Sequence, residues 1–228
     1  MENADDRLAA LAALNEPARR RIYRYVATQG SAVSRHGVAE ALGVPRSVAA
    51  FHLEKLAELG LLEFEYRRPL GRSGPGAGRP AKLYRRAAGE IALSVPERHY
   101  DLAAQLLARA VEYAADGSVP VAEALRSVAR EHGRSIGARL HPLEGRSRRQ
   151  LIEQLAELLT DQGYEPHVED TAITLRNCPF DALTAEHREL VCGMNLELIK
   201  GVVETGGLPD TAARLDPAPG RCCVSLLA

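Results

Sequence analysis

What the chain lacks narrows it first. No apolar run approaches the roughly 18 to 20 residues that cross a bilayer. Met1 is followed by Glu2, Asp5 and Asp6, not by the basic and apolar regions of a secretory leader, so a cytoplasmic protein without a membrane segment is expected. Cysteines number four in 228 residues, too few for a disulfide scaffold, and all lie after residue 177; a local metal-binding or redox-active site is favoured over a framework. No glycine-rich phosphate loop opens a helix, and neither G-x-S-x-G nor H-E-x-x-H occurs, so no enzyme is expected. Aromatic residues make up only 4 %, yet 46 % apolar and 26 % charged residues describe a soluble globular protein of one large or two small domains, not a disordered chain.

The net charge of -1 hides an asymmetry about Pro96. Residues 1–96 hold 15 basic against 10 acidic side chains, whereas residues 97–228 hold 14 against 20. The basic excess is concentrated in residues 67–86, where Arg67, Arg68, Arg72, Arg79, Lys82, Arg85 and Arg86 meet no acid and glycines stand at 71, 74, 76 and 78. Taken alone, such a run is a solvated loop or a nucleic-acid contact.

The preceding residues favour the contact. Residues 17–29 open on a proline, carry Ile22, Tyr23 and Val26 at helical spacing and stop at Gly30. Residues 36–42 give a second helix that ends at a Gly43 turn. From 45 to 59, Val48, Leu53, Leu56 and Leu59 form an inward stripe and leave a basic outer face. Residues 61–66 and 81–85 alternate as an antiparallel pair across the Gly/Arg-rich tip. Three helices, a short glycine turn and a basic-tipped hairpin are the order of a winged helix-turn-helix, whose third helix enters the major groove. ALGVPRSVAAFHLEKLAELGLLE followed by GRPAKLYR resembles the DNA-binding domain of the bacterial ArsR/DeoR-like regulators. The resemblance implies that Arg46, Ser47, Ala50, Phe51, His52 and Lys55 face double-stranded operator DNA from the third helix, with Arg72, Arg79 and Lys82 on the wing. Arg19, Arg20, Arg21 and Arg24 are either a solvated face or a second phosphate contact.

Beyond Pro96 the sequence reads as long helices over 99–115, 119–140 and 147–162. Leu102, Leu106, Leu107, Ala110 and Val111 form a stripe suited to packing against a partner helix, and a homodimer through this region is the natural inference for a reader of two-fold operators; a stripe that only packs internally is the bland alternative. Short strands at 164–170, 172–175, 212–214 and 222–226 flank an amphipathic helix at 181–205. The expected fold is therefore α+β, with a winged helix-turn-helix over 1–96, a helical dimerisation region over 97–145 and a small α+β sensor module over 146–228.

Cys178 precedes the last helix, Cys192 lies midway along it, and Cys222 and Cys223 open the last strand, a C-x13-C-x29-C-C spacing that is neither a zinc ribbon nor a ferredoxin pattern. The dipole of the helix would stabilise a thiolate at Cys178. Strand parity sends Cys222 and Cys223 to opposite faces and places Cys222 with Val224 and Leu226, without deciding which of the two serves a site. Four buried small hydrophobes are the bland alternative. NCPF, VCGMN and LDPAPGRCCV behind a winged helix make the chain similar to the iron-sulfur repressors that control SUF cluster-assembly operons. That resemblance implies a dimeric repressor holding a cluster, of the 4Fe-4S type, on Cys178, Cys192 and Cys222 or Cys223. The paired cysteines depart from that family's single one, His187 and Asn195 are alternative fourth ligands or ordinary helix residues, and zinc, thiol oxidation or a small organic ligand would serve a regulator without a cluster.

Overall fold

In the computed structural model, residues 4–67, 80–117, 119–140, 147–169, 172–207 and 212–227 are described. They form two compact units, divided between Leu93 and Ser94.

The first unit begins with α1, Ala4–Ala13, followed by α2, Pro17–Ala27. The Glu16 carboxylate caps α2 by accepting the Ala18 and Arg19 amides at 3.0 and 2.6 Å, and Pro17 occupies a position where no amide is needed. The basic face of α2 is put to structural use. The Arg19 and Arg20 guanidiniums donate to the Ala13 and Leu14 carbonyls behind α1, and Arg21 donates to the Leu42 carbonyl, so these side chains satisfy acceptors that helix ends leave open. β1, Val33–Ser34, leads into α3, Arg35–Leu42, whose N-terminus is capped by the Ser34 hydroxyl. Gly43 ends α3 at φ +63°, a conformation that a β-carbon disfavours, and this reverses the chain into α4, Arg46–Glu58. β2, Leu62–Arg67, and β3, Ala81–Arg86, pair antiparallel, and β1 joins the far edge of β3 to give the order β1-β3-β2. Ile22, Val26, Val38, Ala49, Leu53, Leu56, Leu61 and Tyr84 close the core beneath the sheet.

The second unit holds α5, Tyr100–Asp116; α6, Val121–Gly137; α7, Arg148–Asp161; β4, Pro166–Glu169; β5, Ala172–Leu175; α8, Asp181–Thr205; β6, Ala213–Leu215; and β7, Val224–Leu227. A capping box between Ser147 and Gln150 starts α7. The strands form an antiparallel sheet in the order β4-β5-β7-β6. α6 and α8 touch backbone to backbone. A β-carbon on Gly133 would overlap the Leu198 carbonyl, one on Gly201 the Arg130 carbonyl, and one on Gly137 would lie 2.6 Å from the Val202 oxygen. Ion pairs from Arg130 to Glu197 and Glu204, and from Arg134 to Glu204, flank the crossing at 3.0–3.1 Å.

Two expectations are corrected here. Helices over 97–145 do not make a region separate from 146–228: Ala103, Leu106, Ala110, Leu125 and Val128 share one core with Leu155, Ile173, Leu198, Val202 and Val224. The reason is that α8 is apolar enough to take α6 on one side and the sheet on another. The α5 stripe is likewise used at home, since Leu106 is 1 % exposed, whereas Val111 and Tyr113 remain 55 % and 54 % exposed. A charge at Leu106 would therefore test the fold and not association. The sequence reading also passed over α1 and β1, and the divide falls at 93/94, just ahead of Pro96.

The crossing predicts a sign reversal between two glycines of the same unit. Gly133→Ala should lose about 2–3 kcal/mol in urea denaturation, as overpacking of a rigid contact does. Gly193→Ala, inside α8 with only the Arg126 side chain at 3.6 Å, should gain about 0.5–1 kcal/mol from helix propensity.

Candidate DNA-reading surface and cysteine centre

α4 carries its inward stripe at Ala49, His52, Leu53 and Leu56, the i, i+3, i+4, i+7 spacing of a buried face. That register fixes what remains outside. Arg46 and Ser47 are exposed in the first turn, Ala50 and Lys55 are half-buried, and Phe51 is 63 % exposed. Arg46 engages the His36 imidazole of α3 through two nitrogens at 3.1 and 3.2 Å, and Lys55 pairs with Glu58 at 3.1 Å. His52 does not join this face. It is 8 % exposed, its Nε2 lying 3.7 Å from the Glu16 carboxylate, because its position falls on the core stripe.

Lys82 also has a different setting from the one expected. Its ammonium pairs with Glu54 on α4 and sits 3.8 Å above the Phe64 ring, and the buried Tyr84 phenol donates to the same carboxylate at 2.7 Å. Glu54 is thus the junction between α4 and the hairpin. The Lys82 ammonium holds its carboxyl below the usual range, and burial beside that carboxylate pushes the Tyr84 phenol up. Arg72 and Arg79 lie outside the described residues.

In the second unit the four cysteines converge. Cys178 sits in the turn between β5 and α8, Cys192 on α8, and Cys222 and Cys223 in the segment ahead of β7, not in the strand. All four line one cavity of about 700 Å³, together with Arg98, Arg176, Arg188 and Arg221. Cys192 and Cys223 are joined as a disulfide, while Cys178 and Cys222 are free and buried. The Cys178 thiol donates to the Cys222 sulfur, which also accepts the Asn195 amide at 3.2 Å and backbone amides of Val224 and Cys223. Donation to Cys222 and burial push the Cys178 thiol up, and the donors around Cys222 bring its thiol down. At Cys178 the Phe180 backbone amide favours a thiolate, while Asp181 in the first turn of the helix opposes a charge there.

The surrounding shell is built to hold these positions. Arg98 donates to the Asn177 side chain and to the Cys178 carbonyl, and Asn177 donates to the Glu97 and Gly163 carbonyls, which fixes the turn carrying Cys178. Arg221 pairs with Asp216 at 2.8 Å. His187 is exposed at a kink in α8, and Asn195 is buried as a donor to sulfur. Among the described residues, no three His, Cys, Asp or Glu side chains form a finished metal cage, two of the four sulfurs being joined to each other. Four sulfurs nonetheless line one cavity beside four arginines, a donor set that would suit a thiolate-held group only with that disulfide reduced.

Sequence reasoning overlooked Tyr164 and the role of Asn195. The available signal was a polar residue on the apolar stripe Val191, Asn195, Leu198 and Val202, where burial demands a partner.

Comparison with known proteins agrees with the first unit. Residues 14–63 match a family model described as a helix-turn-helix domain. They are a DNA-binding helix-turn-helix of the kind transcriptional regulators carry. The match spans α2 to the start of β2. No curated protein and no solved structure matches the chain.

The Glu54 junction gives a pH dependence with a defined sign. Its folded carboxyl lies below the ordinary value of 4.5, so its contribution to stability is complete above that value and is lost as pH falls through the folded value. Glu54→Gln should flatten the acid side of the stability profile of the first unit, measured by denaturation between neutral and acid pH, and leave its neutral helix content unchanged.

Proposed function

We propose that the protein is a two-fold DNA-binding repressor whose operator affinity is set by the cysteine centre, which in its reduced form holds a 4Fe-4S cluster. The observation that carries this reading is the convergence of four cysteines from three separate segments on one arginine-lined cavity, in a chain whose other unit is a helix-turn-helix. On the DNA side, Arg46, Ser47, Ala50, Phe51 and Lys55 present a compact reading face: Arg46 has the geometry for a guanine edge and Phe51 an apolar surface for a thymine methyl. Arg72 and Arg79 on the wing neutralise phosphates, which makes binding fall steeply with salt. Lys82 acts through Glu54 by fixing the root of the wing to α4. Two-fold operators call for two readers, and the outward Val111 and Tyr113 of α5 supply the apolar surface for a second copy.

Cys178, Cys192 and Cys222 or Cys223 would hold a cluster, and its loss to oxygen, nitric oxide or iron scarcity would release the three segments that carry them. The chain itself keeps the turn at Cys178 in place through Arg98 and Asn177, and holds Cys222 through Asn195, so the ligand positions persist while the cluster comes and goes. A difference in operator affinity between the two forms is then a coupling free energy between distinct sites. A second reading, regulation by thiol oxidation alone, is favoured by the Cys192–Cys223 disulfide.

Anaerobically prepared protein should contain iron and acid-labile sulfide in equal amounts. Cys178→Ser should remove both and shift operator affinity at least about tenfold, or ~1.4 kcal/mol, with nonspecific DNA binding unchanged. If iron-free protein showed the same shift on simple thiol reduction, thiol oxidation would replace the cluster as the signal. An iron-free parent whose Cys178→Ser variant binds the operator equally well removes the cluster reading, and equal operator affinity before and after reduction of the Cys192–Cys223 disulfide removes the second.

The assembly is checked by light scattering. The parent should be a dimer at micromolar concentration, and Val111→Glu with Tyr113→Asp should yield folded monomers, because these side chains are exposed within the unit.

A further inference from the structure

The sulfurs of the centre are not equivalent, and one buried amide separates them. Asn195 is 1 % exposed on α8, one turn from Cys192 and on the same face of the helix. Its Oδ1 accepts the hydroxyl of the buried Tyr164. With Oδ1 so occupied, Nδ2 is the atom left to face the centre, and it donates to Cys222 Sγ at 3.2 Å. The Tyr164–Asn195–Cys222 chain thus joins α8 and the segment after α7 to the residues ahead of β7. Cys222 is 2 % exposed among these donors, whereas its neighbour Cys223 is half-buried and closes the disulfide with Cys192.

We infer that Asn195, held by Tyr164, is the positioning residue that makes Cys222, and not Cys223, the ligating sulfur ahead of β7. The inference rests on the reading of the cysteine centre as a metal site. An N–H donor on a ligating sulfur fixes its orientation and tunes the metal–sulfur bond, and outer-shell partners of this kind matter nearly as much as the ligands. Cys223 then serves a different end: it returns Cys192 to a disulfide when no metal is held, which withdraws one ligand and leaves the Cys178–Cys222 pair in place. That oxidation forms the S–S bond and releases two electrons and two protons to a low-molecular-weight disulfide, which leaves as two thiols.

The test uses Co2+ titrated into the reduced, iron-free full chain, followed by its sulfur-to-cobalt absorption. Asn195→Leu should weaken Co2+ binding by roughly 10- to 100-fold, the usual effect of losing an outer-shell partner. Tyr164→Phe, which keeps the ring and removes only the hydroxyl, should shift the absorption band and weaken binding in the same direction; it carries the test if Asn195→Leu fails to fold. Cys222→Ser should abolish most of the band, and Cys223→Ser should leave it in place. Equal losses from the two serine variants, or parental binding and spectra in both Asn195→Leu and Tyr164→Phe, overturn the assignment. Cobalt binding that depends on Cys222 in a protein that takes up no iron sustains the assignment while removing the cluster reading. Iron uptake that depends on Cys223 and not on Cys222 does the reverse.

Discussion

The second unit depends on the approach of α6 to α8 at backbone distance. Gly133, Gly137 and Gly201 remove the β-carbons that would hold two helices apart, and the neighbouring chain fills the space they leave. Contacts of this kind give dispersion energy without side-chain entropy loss, but they are intolerant, because a carbonyl cannot move aside as a side chain can. The crossing fixes the C-terminal half of α8, and with it the register of the helix back to the kink at His187. Cys192 and Asn195 lie one to three turns before Gly201 and inherit their positions from it. The sheet then presents Cys222 to the same place because β7 is its central strand next to β5.

The first unit solves a similar positioning problem with charge. α4 has no side-chain cap at its start, and its outer face is polar, so its inward stripe alone would leave the hairpin free to swing. Glu54 removes that freedom by accepting from Lys82 and Tyr84 together, and Phe64 supplies the surface beneath the ammonium. Exposed ion pairs contribute little by themselves. Here the carboxylate also satisfies a buried phenol, which costs more to leave unpaired.

These two devices mark where sequence reading succeeds and where it stops. The helices at 17–27, 35–42 and 46–58 and the hairpin were legible because apolar spacing, Pro17 and Gly43 are local signals. α1 was not, since its C-terminal carbonyls are satisfied by Arg19 and Arg20 from the next helix, a contact that no local pattern announces. The same limit separates His52 from Phe51. One residue of helical phase sends the first inward to Glu16 and the second outward, and the stripe read from Val48 instead of Ala49 set that phase wrongly. At the cysteines, the sequence was enough to nominate four sulfurs, whereas their division into a disulfide and a pair of free thiols follows from segments far apart in the chain that no local pattern brings together. Conversely, the helices over 97–145 were legible as helices but not as part of a larger core, because an amphipathic stripe does not name its partner.

The contact between Arg46 and His36 has one more implication. In the free protein the guanidinium already donates to the imidazole of the preceding helix, so it is neither loose nor idle. A base edge or phosphate that took Arg46 would have to displace an imidazole of the same molecule. A single acceptor would only replace the contact that is lost, whereas a two-pronged acceptor would add one.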